Sequence, residues 1–228
     1  MKRISTINQL DDWHLKTQNA EYLELSKKRL KEPVLIWVNQ FTEIINTNLS
    51  KLNLNEIKLN DIGCNVGHFP RNLNLIKSKV KYAGIDISKT YIDIAKQNFP
   101  ELNFFIEDFS QEKFDFNKFN CDITIVSATL EHIINFEIFL KNIFESTEKN
   151  VIIRTFIGDQ SKIDYCLKEG ATSEYLIRQF TINDLVKKSI NKDWGCEILE
   201  DRATKSLKKE VCKNIERQQF VLNFLRIK

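Results

Sequence analysis

The pattern of apolar and polar positions divides the chain into a helical first part and a longer part in which strands and helices alternate. Residues 11–50 repeat apolar side chains at helical intervals, with one interruption at Pro33. From residue 57 onward, short apolar runs alternate with amphipathic ones. We therefore predict an N-terminal helical extension or lid, residues 1–54, in front of a single α/β domain, residues 55–228.

Five apolar runs and the helices between them predict a doubly wound sheet. The predicted strands are 57–62, 82–86, 103–108, 121–127 and 150–156, and the predicted helices between them are 69–79, 89–99 and 136–146. The strands are apolar along most of their length, which is typical of parallel strands buried on both faces. Short connections between strand and helix favour the same arrangement.

The last part of the chain departs from this alternation. A predicted helix, 181–190, precedes a strand at 196–201, and a further alternating run, 219–227, ends the sequence. Only about seventeen residues separate the two runs, and antiparallel strands need no helical crossover. The predicted fold is therefore a seven-stranded, mostly parallel sheet with a terminal antiparallel strand pair.

Composition and charge exclude several classes of protein. The net charge is +3, from 34 basic and 31 acidic residues, so nucleic acid is not a favoured partner. The five cysteines are scattered and never spaced as C-x-x-C, so neither a disulfide framework nor a zinc site is indicated. The polar N-terminus and the absence of a long apolar run predict a cytoplasmic protein with no membrane partner. The oligomeric state is not legible from the sequence.

The loop after the first strand combines glycines with an acid. It reads Asp61-Ile62-Gly63-Cys64-Asn65-Val66-Gly67, and its glycines allow a sharp turn and close approach of the backbone to a ligand. A dinucleotide fingerprint, G-x-G-x-x-G, would place glycine where Asn65 stands. The carboxylate two residues before Gly63 suits an amino-acid ammonium group better than a pyrophosphate.

Two further acids follow the next two strands. Asp86 ends the second strand, where a carboxylate accepts hydrogen bonds from ribose hydroxyls. Asp108 ends the third strand, where we expect it to meet an adenine edge together with the backbone of Phe109. Open parallel sheets bind ligands at the carboxyl ends of their strands, so three acids in register predict one binding site.

These motifs together resemble the class I superfamily of S-adenosylmethionine-dependent methyltransferases. The resemblance extends over about residues 55–228 and rests on D-x-G-x-x-x-G, Gly84-Ile85-Asp86-Ile87-Ser88, Glu107-Asp108 and Ser127-Ala128-Thr129-Leu130-Glu131-His132. It implies S-adenosyl-L-methionine as the cofactor. The cofactor-binding residues that it implies are Asp61, Gly63, Cys64, Asn65, Gly67, Asp86, Ile87, Asp108, Phe109 and Ser127.

Glu131 and His132 are the predicted catalytic residues, because they follow the fourth strand, where the resemblance places the methyl acceptor. An alcohol acceptor must lose a proton, and an imidazole that titrates near neutral pH suits this task. Packing of the loop is the alternative role for this pair. Some related enzymes hold a metal with E-x-x-E-H at this position; here Ala128 replaces the first acid, so no metal is predicted.

The acceptor is predicted to be a small molecule, most simply an oxygen of a sugar or another metabolite. The signatures of nucleobase amine, cytosine C5 and arginine methylation are absent. We expect residues 159–180, which include Tyr165, Tyr175 and Arg178, to shape the acceptor pocket. Trp13, Tyr22 and Trp37, with the nearby Lys31, are expected to form a lid from the other side. The alternatives are an RNA methyltransferase, suggested by the basic segment 205–213, and a catalytically silent methyltransferase-like binding subunit. A nicotinamide-dependent oxidoreductase is opposed by the glycine spacing.

Overall fold

A computed structural model of the chain describes residues 20–52, 54–166, 175–186, 193–205, 210–212, 215–216 and 218–227. The strands are β1 Glu56–Ile62, β2 Lys79–Asp86, β3 Asn103–Ile106, β4 Cys121–Ser127, β5 Thr147–Phe156, β6 Lys162–Cys166, β7 Tyr175–Gln179, β8 Trp194–Glu200, β9 Glu210–Cys212, β10 Ile215–Glu216 and β11 Gln219–Arg226. The α-helices are α1 Ala20–Lys31, α2 Ile36–Leu52, α3 Lys89–Asn98, α4 Phe136–Ser146 and α5 Ile182–Val186. Three 3₁₀-helices span Phe69–Leu75, Phe116–Phe119 and Leu130–His132.

Seven of these strands form one sheet in the order β3-β2-β1-β4-β5-β11-β8. The first five strands along the chain run parallel, and β11 is antiparallel to both of its neighbours, β5 and β8. The predicted doubly wound sheet with its terminal antiparallel pair is therefore confirmed. The winding reverses between β1 and β4, and such a reversal opens a crevice at the carboxyl ends of the strands.

Helices cover both faces of the sheet. On one face, α2 and α3 pack against the apolar side chains of β1, including Ile57 and Leu59. On the other face, α4 packs against Val151 and Ile153 of β5 and against Leu222 of β11. Because α2 shares its core with the sheet, the second helix of the predicted extension is a layer of the fold. The division at residue 54 stays a prediction.

A buried amide cluster ties α2 to the sheet. The Nδ2 group of Asn48 donates to the side-chain oxygens of Asn150, at 2.9 Å, and Asn223, at 3.0 Å. Asn150 in turn donates to Asn223 at 2.8 Å. These bonds satisfy polar groups that would otherwise be costly to bury.

Two predicted elements are shorter than expected. The predicted helix 69–79 is a 3₁₀-helix that ends at Leu75, and β2 begins at Lys79. Proline at position 70 and asparagines at 72 and 74 favour a short turn over an α-helix. The predicted third strand ends at Ile106, since the carboxylate of Asp108 accepts from the backbone N–H of Ser110 in a turn.

The tail agrees with its prediction where the structure describes it. The helix predicted over 181–190 spans Ile182–Val186, and residues 187–190 lie outside the described part. The insertion at residues 159–180, which is expected to shape the acceptor pocket, contributes the antiparallel strand pair β6–β7. None of the described helices has the length and apolar character needed to cross a membrane.

Candidate active site

The loop after β1 takes a conformation that few residue types allow. Gly63, Asn65 and Gly67 have φ angles of 76°, 53° and 89°. Asparagine tolerates this left-handed region better than most residues, which explains its presence in the turn. A Cβ on Gly63 would lie 2.1 Å from the Thr129 hydroxyl oxygen, so glycine also allows the loop after β4 to approach.

Asp86 joins this loop to the start of α3. Its Oδ2 accepts the backbone N–H of Asn65 at 3.0 Å, and its Oδ1 accepts that of Ser88 at 2.9 Å. Burial raises the pKa of Asp86 to about 6, although the backbone N–H donors oppose this shift. The carboxylate is therefore fixed in position at the end of β2. The next residue, Ile87, is another predicted cofactor-binding residue.

Asp61 lies beside Asp86 with only 3% of its surface exposed. The hydroxyl of Tyr82 donates to its Oδ2 at 2.8 Å. Burial raises the pKa of Asp61 to about 7, and the nearby charge of Asp86 adds to this effect. The site therefore concentrates negative charge that a cationic ligand group would stabilise.

We expect Asp61→Asn to raise the free energy of unfolding above that of the wild type by about 2 kcal/mol more at pH 8 than at pH 5. The pKa of Asp61 is raised from 3.8 to about 7, so its contribution to stability is fully present below about pH 4 and is lost as the pH rises through about 7. Asparagine keeps an oxygen for Tyr82 and does not ionise. Denaturant unfolding at both pH values measures the difference between variant and wild type.

The exposed Asp93→Asn variant is the matched control and should show no such pH-dependent gain. If Asp61→Asn is no more stable than the wild type at pH 8, Asp61 does not carry the buried charge described above. If Asp61 also faces a ligand ammonium group, the same variant should bind that ligand more weakly.

Tyr91, on α3, was not predicted from the sequence. Its side chain is buried, and its hydroxyl lies near the side chains of Ser26 and Asn65 without a well-aligned hydrogen bond to either. The charge of Asp86 acts on this hydroxyl. In the sequence, a tyrosine at an apolar position of a predicted helix does not show whether the side chain packs in the core or binds a ligand.

The other predicted cofactor residues surround the same edge of the sheet. Asp108 follows β3, and its Oδ1 accepts from both the backbone N–H and the hydroxyl of Ser110. Phe109 is buried among Phe114, Phe119 and Phe139. Cys64 is buried in the loop after β1, and Ser127 ends β4.

His132 lies in the 3₁₀-helix after β4, against the inserted strand pair. Its Nδ1 is 2.7 Å from the carbonyl oxygen of Leu176 in β7. A carbonyl oxygen only accepts hydrogen bonds, so Nδ1 carries the proton and Nε2 is the basic nitrogen. The ring also packs against Tyr175, with 5.7 Å between ring centroids.

Glu131, the other predicted catalytic residue, is buried among polar partners. Only 1% of its surface is exposed, and its carboxylate accepts from the hydroxyl of Thr155 at 3.0 Å and from Nε2 of Gln219 at 2.8 Å. Burial raises the pKa of Glu131 to about 7. Its contacts join the loop after β4 to β5 and β11.

Helix α1 packs across the loop after β1. The buried His68 donates from Nε2 to the carbonyl of Ser26 at 3.2 Å, and burial lowers the pKa of His68 to about 4. Arg71 donates to the carbonyls of Arg29 and Glu32 at the end of α1. The charges of Asp86 and Glu131 act on Tyr22 of the same helix. Of the other two aromatic residues predicted for the lid, Trp37 packs against Phe41 and Phe69, and Trp13 lies outside the described residues.

Among the described residues, no three histidine, cysteine or acidic side chains gather as a metal site would require. The prediction that the enzyme needs no metal stays a prediction, because activity without added metal is what tests it.

The sheet order and the acids at the ends of β1 and β2 define the class I methyltransferase fold. A family model described as "Methyltransferase domain" matches residues 54–216. The chain therefore belongs to this methyltransferase-domain family, and the sequence-based prediction of a methyltransferase is confirmed.

Solved structures with the same fold have little sequence in common with this chain. An S-adenosylmethionine-dependent methyltransferase from Clostridium acetobutylicum is 13% identical, with a TM-score of 0.59 over 90% of this chain and 98% of that one. Magnesium protoporphyrin IX methyltransferase from Synechocystis, with bound S-adenosylhomocysteine, is 14% identical, with a TM-score of 0.62 over 95% and 99%.

A third similar structure is 1,6-didemethyltoxoflavin-N1-methyltransferase from Burkholderia thailandensis, which is 11% identical. Its TM-score is 0.62, over 94% of this chain and 88% of that one. No curated protein matches the sequence.

Proposed function

We propose that the protein transfers the methyl group of S-adenosyl-L-methionine to an oxygen atom of a small-molecule acceptor, a sugar or another metabolite hydroxyl. The observation that carries the acceptor side of this proposal is the hydrogen bond from His132 Nδ1 to the Leu176 carbonyl. The similar structures include methyltransferases named for magnesium protoporphyrin IX and for 1,6-didemethyltoxoflavin, which supports a small-molecule acceptor.

The residues at the ends of β1 and β2 fit the proposed cofactor. The carboxylate of Asp86 accepts the backbone N–H groups of Asn65 and Ser88, and the N–H of Ile87 also acts on it. A carboxylate offers about four acceptor positions, so Asp86 retains capacity for a ribose hydroxyl. The buried hydroxyl of Tyr91 lies within the influence of the same carboxylate and makes no well-aligned hydrogen bond to the nearby Ser26 and Asn65 side chains. A ligand that offers polar groups here would add hydrogen bonds to the side chains of Asp86 and Tyr91.

We assign the cofactor contacts residue by residue. Asp61 would attract the ammonium group, Asp86 would hold the ribose, and Asp108 with the backbone of Phe109 would meet the adenine. The turn through Gly63 and Gly67 would bring the backbone close to the amino-acid part. When bound, the cofactor supplies a methyl group already activated by its positive sulfur.

His132 would accept the proton of the acceptor hydroxyl at Nε2. The Leu176 carbonyl fixes the ring orientation and the tautomer, and it stabilises the proton on Nδ1 when the ring becomes positively charged. Positioning of the two substrates supplies much of the remaining rate increase in such displacements.

Glu131 would act as a positioning residue. Its bonds to Thr155 and Gln219 hold the residue next to His132 against β5 and β11. We therefore reassign it from the acceptor pocket to the support of the loop that carries the base.

A screen for release of S-adenosylhomocysteine tests the proposed acceptor class. We expect turnover with one or more sugars or other metabolites that carry hydroxyl groups, also after treatment with a metal chelator. Matched acceptors with the hydroxyl removed should be inert. Turnover only with amine acceptors, or only with RNA, would contradict oxygen methylation of a small molecule.

A further inference from the structure

Arg178 is a buried cation on β7, close to the loop that carries His132. Only 8% of its surface is exposed. Its guanidinium carbon lies 4.6 Å from the centre of the Phe136 ring and 5.7 Å from that of Phe180. These rings hold the guanidinium plane in place and shield it from water.

The hydrogen bonds of Arg178 are weak for a charge so deeply buried. Its Nη1 lies 3.4 Å from the carbonyl oxygens of Ile133 and Ile134, beyond the usual range for such bonds. Within the described part of the chain, no carboxylate lies within ion-pair distance of its nitrogens. Tyr165, Glu137 and Asp184 act on its charge at longer range.

A second buried arginine shows what a satisfied partner set looks like in this protein. Arg154 is 7% exposed, and its Nε and Nη2 donate to the two oxygens of Asp201 at 2.9 and 3.0 Å. Buried charges in proteins are ordinarily paired in this way. Burial lowers the pKa of Arg178, but a guanidinium stays charged at neutral pH. Arg178 therefore keeps a positive charge, and the described residues leave part of its donor capacity unmet.

The position of Arg178 relates this charge to the acceptor. Leu176, two residues earlier on β7, receives the hydrogen bond from His132. Arg178 contacts the carbonyls of the two residues that follow His132. The guanidinium therefore lies beside the segment that holds the proposed base, away from the acids at the ends of β1 and β2.

We propose that Arg178 binds an anionic group, a carboxylate or a phosphate, on the methyl acceptor. This inference rests on the proposed function, which places the acceptor beside His132. A planar guanidinium matches both kinds of oxyanion with two parallel hydrogen bonds. The flanking Phe136 and Phe180 would accommodate an apolar part of the same molecule. The acceptor class is thereby narrowed to small anionic hydroxyl compounds.

Benzoate and phenyl phosphate are suitable probes, and neutral benzamide is the matched uncharged control. We expect calorimetric titration of the full chain, saturated with S-adenosylhomocysteine, to show binding of one or both anions with a Kd on the order of 1 mM, because the probes are small. Benzamide should bind at least tenfold more weakly. The anion that binds more tightly identifies the oxyanion that the site prefers.

Arg178→Gln should weaken binding of the preferred anion at least tenfold, and Arg178→Lys should retain part of it. The control is Arg202→Gln, which removes the same charge from an exposed ion pair with Glu43 and should leave anion binding unchanged. Binding of S-adenosylhomocysteine by each variant shows that the cofactor side is intact. Failure of the wild type to bind S-adenosylhomocysteine would count against the proposed function itself, separately from Arg178.

Nitrogen-15 spectra of the wild type keep the proposal testable if Arg178→Gln does not fold. Saturation with the preferred probe should shift the backbone amides of β7 around Arg178. Binding of neither anion, equal binding by folded Arg178→Gln, or shifts confined to other parts of the chain would overturn the proposal.

Discussion

Replacement of His132 by alanine is expected to lower kcat about 100-fold or more while leaving the affinity for S-adenosylmethionine nearly unchanged. The loss corresponds to the usual effect of removing a general base. Only the neutral imidazole accepts a proton, so the wild-type kcat should fall toward acid pH. This acid limb of the pH–rate profile should disappear in the variant. Steady-state kinetics with the acceptor from the screen, together with calorimetry for the cofactor, measure both effects.

His132→Asn separates catalysis from packing. The asparagine amide can donate to the Leu176 carbonyl as Nδ1 does, but it cannot act as a base near neutral pH. We expect this variant to be as slow as the alanine variant. Normal turnover by His132→Asn would make the hydrogen bond to β7 the important feature. In that case Asp159, which lies in the segment after β5, becomes the next candidate for the base.

The Asp86→Ala variant is expected to bind S-adenosylmethionine more weakly by at least about 2 kcal/mol, which is roughly a 30-fold loss of affinity. The substitution removes a buried carboxylate proposed to accept from the ribose hydroxyls. It also removes the acceptor for the N–H groups of Asn65 and Ser88, which hold the loop after β1. Calorimetric titration of folded protein measures the loss.

Asp86→Asn tests how much of that effect comes from the charge, because it keeps one oxygen acceptor in the same place. Asp93→Ala removes an exposed carboxylate from α3 and should bind the cofactor like the wild type. Unchanged affinity in folded Asp86→Ala would exclude Asp86 from the cofactor site.

The sheet was predictable because burial on both faces leaves continuous apolar runs, as in β4 and β5. The antiparallel pair was predictable from the short segment between β8 and β11. The segment 69–79 was assigned wrongly, because its apolar spacing is helical while its proline and asparagines favour a shorter turn. Periodicity alone does not weigh these two effects.

The sequence motifs predicted that Asp61 and Asp86 lie at one edge of the sheet, and the structure brings the two acids together there. Sequence spacing did not show that Glu131 turns into the core, because its partners Thr155 and Gln219 come from distant strands. That Arg178 has no ion-pair partner among the described residues could not be predicted for the same reason. A side chain's partners depend on packing between elements, and this chain offers no local signal for them.

Calorimetric titration of the wild-type protein with S-adenosylhomocysteine tests the central assignment most directly, since it needs no knowledge of the acceptor. We expect saturable one-to-one binding that is weakened at least 30-fold in Asp86→Ala and is absent with NADH. Binding of NADH in place of S-adenosylhomocysteine, or no binding of S-adenosylhomocysteine by the folded wild type, would contradict this assignment.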